Sequence, residues 1–136
     1  MGQIKEVWIA DDDKSIRWML EKAVKKEGLK VRLFSDADQL IFALKSASPD
    51  LVLSDIRMPG TEGLDLLAHL KEVSPKTPVI IMTAYADLEK AVSSFSGGAF
   101  EYMPKPFDVS EMISVIRRGL RSVGDYEDSA DEKIIK

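Results

Sequence analysis

Cysteine does not occur among the 136 residues. A disulfide framework, a thiolate nucleophile and a cysteine-held zinc are therefore excluded. Histidine occurs once, at His69 between Leu66 and Leu70. It lies off the apolar stripe of its segment and reads as a solvated surface residue, not a phosphohistidine. No apolar run approaches the ~20 residues needed to span a bilayer. The N-terminus carries Lys5 and Glu6 and has no long apolar stretch, so it is not a secretory signal. The expected location is cytoplasmic, with no membrane partner. A basic excess is also missing. A net charge of -4 and a pI near 5.1 argue against nucleic-acid binding by this domain itself.

What is present is a single domain's worth of chain with strand-length apolar runs and helical patterns in alternation. Ile4 to Ala10 reads as a first strand. Lys14 to Glu27 reads as a helix with Ile16, Leu20, Ala23 and Val24 on one stripe and Gly28 as its stop. Leu29 to Phe34 alternates apolar with charged residues, as an edge strand with one wet face would. Ser35 or Asp36 can cap a helix running to about Lys45. Leu51 to Leu53 is apolar without alternation, the pattern of a central strand buried on both faces. Leu64 to Val73 is helical with Leu66, Leu67, Leu70 and Val73 inward, and Pro78 opens a fourth strand. Asp87 to Phe95 reads as a short helix ended by Gly97-Gly98, and Ala99 to Met103 as a fifth strand. Asp108 or Ser110 caps a last helix with Ile113, Ile116 and Leu120 inward. Five such alternations predict an α/β fold, a doubly wound parallel sheet with right-handed crossovers. The domain is drawn at 1–121. Residues 122–136 are polar and acidic, and Asp125, Glu127, Asp128, Asp131 and Glu132 read there as a solvated linker, not a metal site.

The chemistry gathers at the strand ends. The first run ends in Asp11-Asp12-Asp13, the third in Ser54-Asp55, the fourth in Thr83, and the fifth leads to Lys105 between two prolines. In an open α/β sheet, ligands bind at the carboxyl edge of the strands. Adjacent carboxylates repel one another unless something cationic sits among them. Several oxygen ligands and one lysine suit a hard divalent cation and a phosphoryl group. Taken alone, the aspartate run could be a helix cap with favourable dipole charge. Asp55 could be a turn residue before Pro59-Gly60, although a turn does not require an acid there. Thr83 and Lys105 are each weak signals; the convergence of four strand ends is what carries the argument.

The motifs Ile9-Ala10-Asp11-Asp12-Asp13, Ser54-Asp55-Ile56-Arg57-Met58-Pro59-Gly60, Ile81-Met82-Thr83-Ala84 and Pro104-Lys105-Pro106-Phe107 resemble, in order and spacing, the receiver domain of bacterial two-component response regulators. The resemblance covers roughly residues 4–121. Ser15-Ile16-Arg17-Trp18 and Gly98-Ala99-Phe100-Glu101-Tyr102 further resemble the nitrogen-regulatory NtrC group, activators for sigma-54 polymerase. The resemblance implies a flavodoxin-like (βα)5 fold with strand order 2-1-3-4-5. It implies Asp55 as phosphoacceptor for a sensor histidine kinase. Mg²⁺ would be held by Asp12, Asp55 and the backbone carbonyl of Arg57, with Asp11 acting through a water. Counting back from Arg17 places the metal pair at Asp11 and Asp12, and Asp13 is either an alternative acid or the helix cap. Lys105 and Thr83 would bind phosphoryl oxygens, and Tyr102 would be an aromatic switch residue. A cis Lys105–Pro106 bond is also implied. Phosphorylation would rearrange residues 84–98 and alter the face formed by the helix over 87–95, strand five and the last helix. That face would serve a homodimer or an output domain, which alone would contact DNA.

Three rivals fare worse. A haloacid-dehalogenase-type phosphatase carries a general-acid aspartate two residues after its nucleophile, where this chain has Arg57. A flavodoxin cradles phosphate in a first loop of Ser, Thr and Gly, which Asp11-Asp12-Asp13 would repel. A pseudo-receiver that only binds partners usually loses a pocket residue, and this chain keeps them all. The domain is therefore read as a non-enzymatic phosphoacceptor that assists its own phosphorylation and hydrolysis.

Overall fold

The computed structural model describes residues 4–84, 87, 89 and 97–123. The elements run β1 (Glu6–Ala10), α1 (Lys14–Lys26), β2 (Lys30–Phe34), α2 (Ala37–Ala43), β3 (Leu51–Asp55), α3 (Gly63–Val73), β4 (Val79–Ala84), β5 (Glu101–Lys105) and α4 (Val109–Ser122). All four strand pairings are parallel, in the order β2-β1-β3-β4-β5. The order reverses at β1, next to β3, which makes the gap between their carboxyl ends a topological switch point.

The apolar patterns explain the layers. Every residue of β3 is buried, as its unbroken apolar run requires of a central strand. β2 alternates between exposed and half-buried positions until Phe34, and it sits at an edge. Alternate residues of each strand feed two cores. Val7, Ile9, Leu51, Leu53, Ile80 and Met82 point to the face covered by α1 and α4. Trp8, Ala10, Val52, Val79 and Ile81 point to the face covered by α2 and α3. α1 starts at Asp13, whose carboxylate accepts from the backbone N–H groups of Ser15 and Ile16. It stops before Gly28, whose φ of +81° suits glycine in a helix-ending turn. Asp36 caps α2 and Asp108 caps α4 in the same way.

Several boundaries differ from the sequence reading. β1 begins at Glu6, whose N–H is held by the Asp50 carboxylate, and Ile4 is left exposed. Val73 lies on the inward stripe of α3 but is 54% exposed, because the helix ends there and no further turn covers it. β5 runs Glu101–Lys105, two residues later than its apolar run suggests, and includes Pro104. An edge strand can take a proline because one side of it has no hydrogen-bonding neighbour, and β5 pairs only with β4. The Lys105–Pro106 bond is cis. Apart from Asp87 and Glu89, the helix expected over Asp87–Phe95 lies outside the described residues, as do 124–136.

One contact fixes α3 against the sheet edge. A β-carbon at Gly63 would come within 2.1 Å of the Asp55 backbone oxygen, whereas at Gly119 it would meet the Leu51 Cδ1 methyl at 2.7 Å. Backbone cannot yield as a side chain can. Gly63→Ala should cost about 1–3 kcal/mol or more, and clearly more than Gly119→Ala, in urea denaturation. Equal losses would contradict this packing.

Candidate functional site

The carboxyl ends of β1, β3 and β5 deliver four of the candidate residues, Asp11, Asp12, Asp55 and Lys105, to one place. Ala10 pairs in register with Ser54, Asp55 with Met82, and Ala84 with Lys105. Asp11 and Asp55 therefore leave β1 and β3 side by side, with Lys105 reaching across from β5. One oxygen each of Asp11, Asp12 and Asp55 lies within 4.8 Å of the others. Asp11 is fully buried, Asp55 nearly so, and Asp12 is open to solvent.

Asp11 is held from every side. Its N–H donates to the Phe34 carbonyl at 3.1 Å, and its own carbonyl accepts from Arg17 Nη1 at 2.7 Å. Its Oδ1 accepts from the Asp13 N–H at 2.9 Å and its Oδ2 from Lys105 Nζ at 2.8 Å. Lys105 Nζ also lies 3.3 Å from Asp55 Oδ2. Asp13 points elsewhere, with its carboxylate spent on the first turn of α1.

The electrostatics are unbalanced. Burial pushes the Asp55 carboxyl above the usual range, and the Asp11 charge pushes it further; Lys105 and a backbone hydrogen bond from Arg57 offset part of this. Burial works against the Lys105 ammonium, but the hydrogen bond and charge of Asp11, joined by Asp55, outweigh it and raise its pKa. Among the described residues, one ammonium thus faces three carboxylates. The set lacks two positive charges, and its oxygens suit a hard divalent cation. With both Asp11 oxygens already engaged, Asp12 and Asp55 are the carboxylates freest to ligate directly.

The remaining residues sit around this cluster. Thr83 is buried, and its hydroxyl donates to the Ala84 carbonyl at 3.0 Å. Tyr102 stands opposite Ile81 on β5, half-buried against the core under α2 and α3. The sequence assigns Arg57 a backbone carbonyl toward the metal and, by its side chain, no general acid. Its side chain also matters: Nε donates to both oxygens of Asp87, at 2.8 and 2.9 Å, and Asp87 is buried. A pair thirty residues apart leaves no signal in a single sequence. Thr61 likewise donates to Asp38 at 2.6 Å, tying the loop after β3 to α2.

Comparison with known proteins agrees with this geometry. Residues 7–117 match the response regulator receiver domain family. Over 114 residues, 84% of this chain, the sequence is 52% identical to the DNA-binding transcriptional regulator NtrC of Proteus hauseri and 50% identical to that of Escherichia coli strain K12. The chain spans 24% of the length of each relative. The solution structure of the BeF3-activated receiver domain of nitrogen regulatory protein C superimposes with a TM-score of 0.78 at 47% identity, covering 90% of this chain and 99% of that one. The receiver domain of NtrX from Brucella abortus gives 0.81 at 32% identity, covering 85% and 98%. The buried aspartates, the threonine and the lysine at the strand ends thus stand in a chain that belongs to the response regulator receiver domain family.

Proposed function

We propose that this domain is a phosphorylation-dependent switch in which Asp55 accepts a phosphoryl group from a phosphohistidine of a sensor kinase. The observation that carries the reading is the cluster of three carboxylates within 4.8 Å facing a single ammonium. An Asp55 oxygen attacks phosphorus in line, the P–O bond forms as the P–N bond breaks, and the histidine nitrogen leaves with the electron pair. Asp12, Asp55 and the Arg57 carbonyl would hold Mg²⁺, with Asp11 acting through a water, and the bound ion would neutralise charge that builds on the phosphoryl oxygens. Lys105 swings from Asp11 to one phosphoryl oxygen as a point charge. Thr83 gives up the Ala84 carbonyl and donates to another. The domain does not turn over a substrate; the same pocket admits the water that later hydrolyses the acyl phosphate.

The output is proposed by likeness to NtrC proteins. Phosphorylation would reorganise residues 84–98 and the neighbouring face of β5, with Tyr102, and of α4. That face would then meet a second copy or a following domain that activates sigma-54 transcription and contacts DNA. Residues 122–136 would be the linker toward it, and the protein would act in the cytoplasm.

Acetyl phosphate with Mg²⁺ should label the protein once, and Asp55→Asn should abolish the label. Full labelling of that variant at another residue would overturn the assignment. In titrations, Asp12→Ala should weaken Mg²⁺ binding at least about tenfold, as loss of a direct ligand would, while Asp13→Ala should leave it nearly unchanged. The reverse order would move the metal register by one residue.

A second test follows from the raised pKa of Asp55. Above the unfolded value of 3.8 the folded metal-free protein holds this proton more tightly than the unfolded chain does. Its contribution to stability therefore falls as pH rises through the folded pKa, and stays lost above it. Asp55→Asn removes that loss and should melt a few degrees higher than the parent at pH 7 without metal. The difference should shrink toward pH 4. Millimolar Mg²⁺ should raise the parent's melting temperature more than the variant's. A variant that melts lower at pH 7 without metal would contradict the charge imbalance.

A further inference from the structure

A groove of about 1000 Å³ runs between α1 and α4, away from the pocket. Its floor is apolar, formed by Met19, Ala23, Val109 and Ile113, and Trp18 stands at its edge, 60% exposed. A tryptophan this open on a face that also offers apolar floor marks a surface that gains by being covered. Its rim is basic: Lys22, Lys25, Lys26 and Arg117 against Glu27 alone. Lys22 lies over the Trp18 ring at 4.4 Å, Lys25 pairs with Glu21 at 3.0 Å, and Arg117 pairs with Glu27. In a chain of net charge -4, this concentration of cations is an exception.

The sequence supplies a complementary segment that starts beside the groove. α4 ends at Ser122 with Val123 as its cap, and Gly124 follows. Residues 124–136 carry five acids (Asp125, Glu127, Asp128, Asp131 and Glu132), two lysines, and the apolar Tyr126, Ile134 and Ile135. The length suffices. Returning along α4 to Val109 is ~20 Å at 1.5 Å per helical residue, and 13 extended residues reach ~43 Å. Two of the other open surfaces disfavour the segment. The pocket edge is acidic, with Asp12 open to solvent above the buried Asp11 and Asp55, and the hollow between β5 and α4 presents Glu101 and Glu111 against Arg118.

We propose that residues 124–136 fold back into the groove between α1 and α4, with their acids on Lys22, Lys25 and Lys26 and the Ile134–Ile135 pair on the floor beside Trp18 and Ile113. Exposed ion pairs are each weak, so the apolar contact and the number of charges must act together. The segment then covers one face of its own domain and limits what else can dock there.

The absence of native cysteine allows a unique spin label at Ser129→Cys in the full chain. Amides of residues 18–26 and 109–117 should lose most of their NMR intensity to the label. The loss should be largely restored in about 1 M salt, where screening acts over ~3 Å. It should also be restored in the exposed-surface variant Lys22→Glu/Lys25→Glu/Lys26→Glu, and independently when the five acids of 124–136 are replaced by Asn or Gln, a change that leaves the folded helices untouched. Broadening confined to residues next to Val123 would overturn the proposal. So would equal broadening of an isotope-labelled, spin-free chain mixed with an unlabelled spin-labelled one, which would make the occupant a second copy.

Discussion

Repulsion among three carboxylates at one sheet edge is the constraint on which the rest of the structure turns. A carboxylate as buried as Asp11 is costly unless it is paired and hydrogen-bonded. The fold meets that demand with the Asp13 N–H on one oxygen and Lys105 on the other. Lys105 in turn holds β5 to the far side of the pocket, bridging strands that are not neighbours: Asp11 follows β1, and β3 and β4 lie between it and β5. One ammonium cannot neutralise three acids, so the metal-free pocket stores an unfavourable charge on Asp55. That same excess of oxygen donors and negative charge would suit a hard divalent cation.

The scaffold keeps this arrangement rigid while leaving one side free to respond. β1 and β3 are buried on both faces, and the Asp55 backbone is pinned by the helix that begins at Gly63. The opposite wall is built from side-chain contacts. Thr83 spends its hydroxyl on the neighbouring Ala84 carbonyl. Arg57, two residues after Asp55, grips the buried Asp87 carboxylate beyond β4. Thr83 at the end of β4 and the Arg57–Asp87 pair are thus two contacts that join the surroundings of Asp55 to the chain after β4. Only the first could be read from the sequence.

Much of the fold was legible because it rests on short-range pattern. The unbroken apolar run of β3, the alternation of β2 and the stripe of α1 each report burial directly, and their order reports a parallel sheet. The errors share a cause. Tertiary position decides both the end of β5 and the exposure of Val73: Pro104 lies on an edge strand, and Val73 closes α3. The aspartate pocket was legible because its members occupy strand ends, where sequence position predicts spatial position. The Arg57–Asp87 and Asp38–Thr61 contacts were not, since side chains from separate loops meet only once the sheet has assembled.

The proposed switch requires Lys105 to leave Asp11 when a cation and a phosphoryl group enter the pocket. A structure of the protein with Mg²⁺ and beryllium fluoride tests it most directly. The account predicts beryllium bonded to an Asp55 oxygen, the cation between Asp12 and Asp55, and Lys105 Nζ moved from Asp11 Oδ2 to a fluoride. Beryllium fluoride bound elsewhere, or Lys105 still 2.8 Å from Asp11 with the fluoride uncontacted, would contradict it.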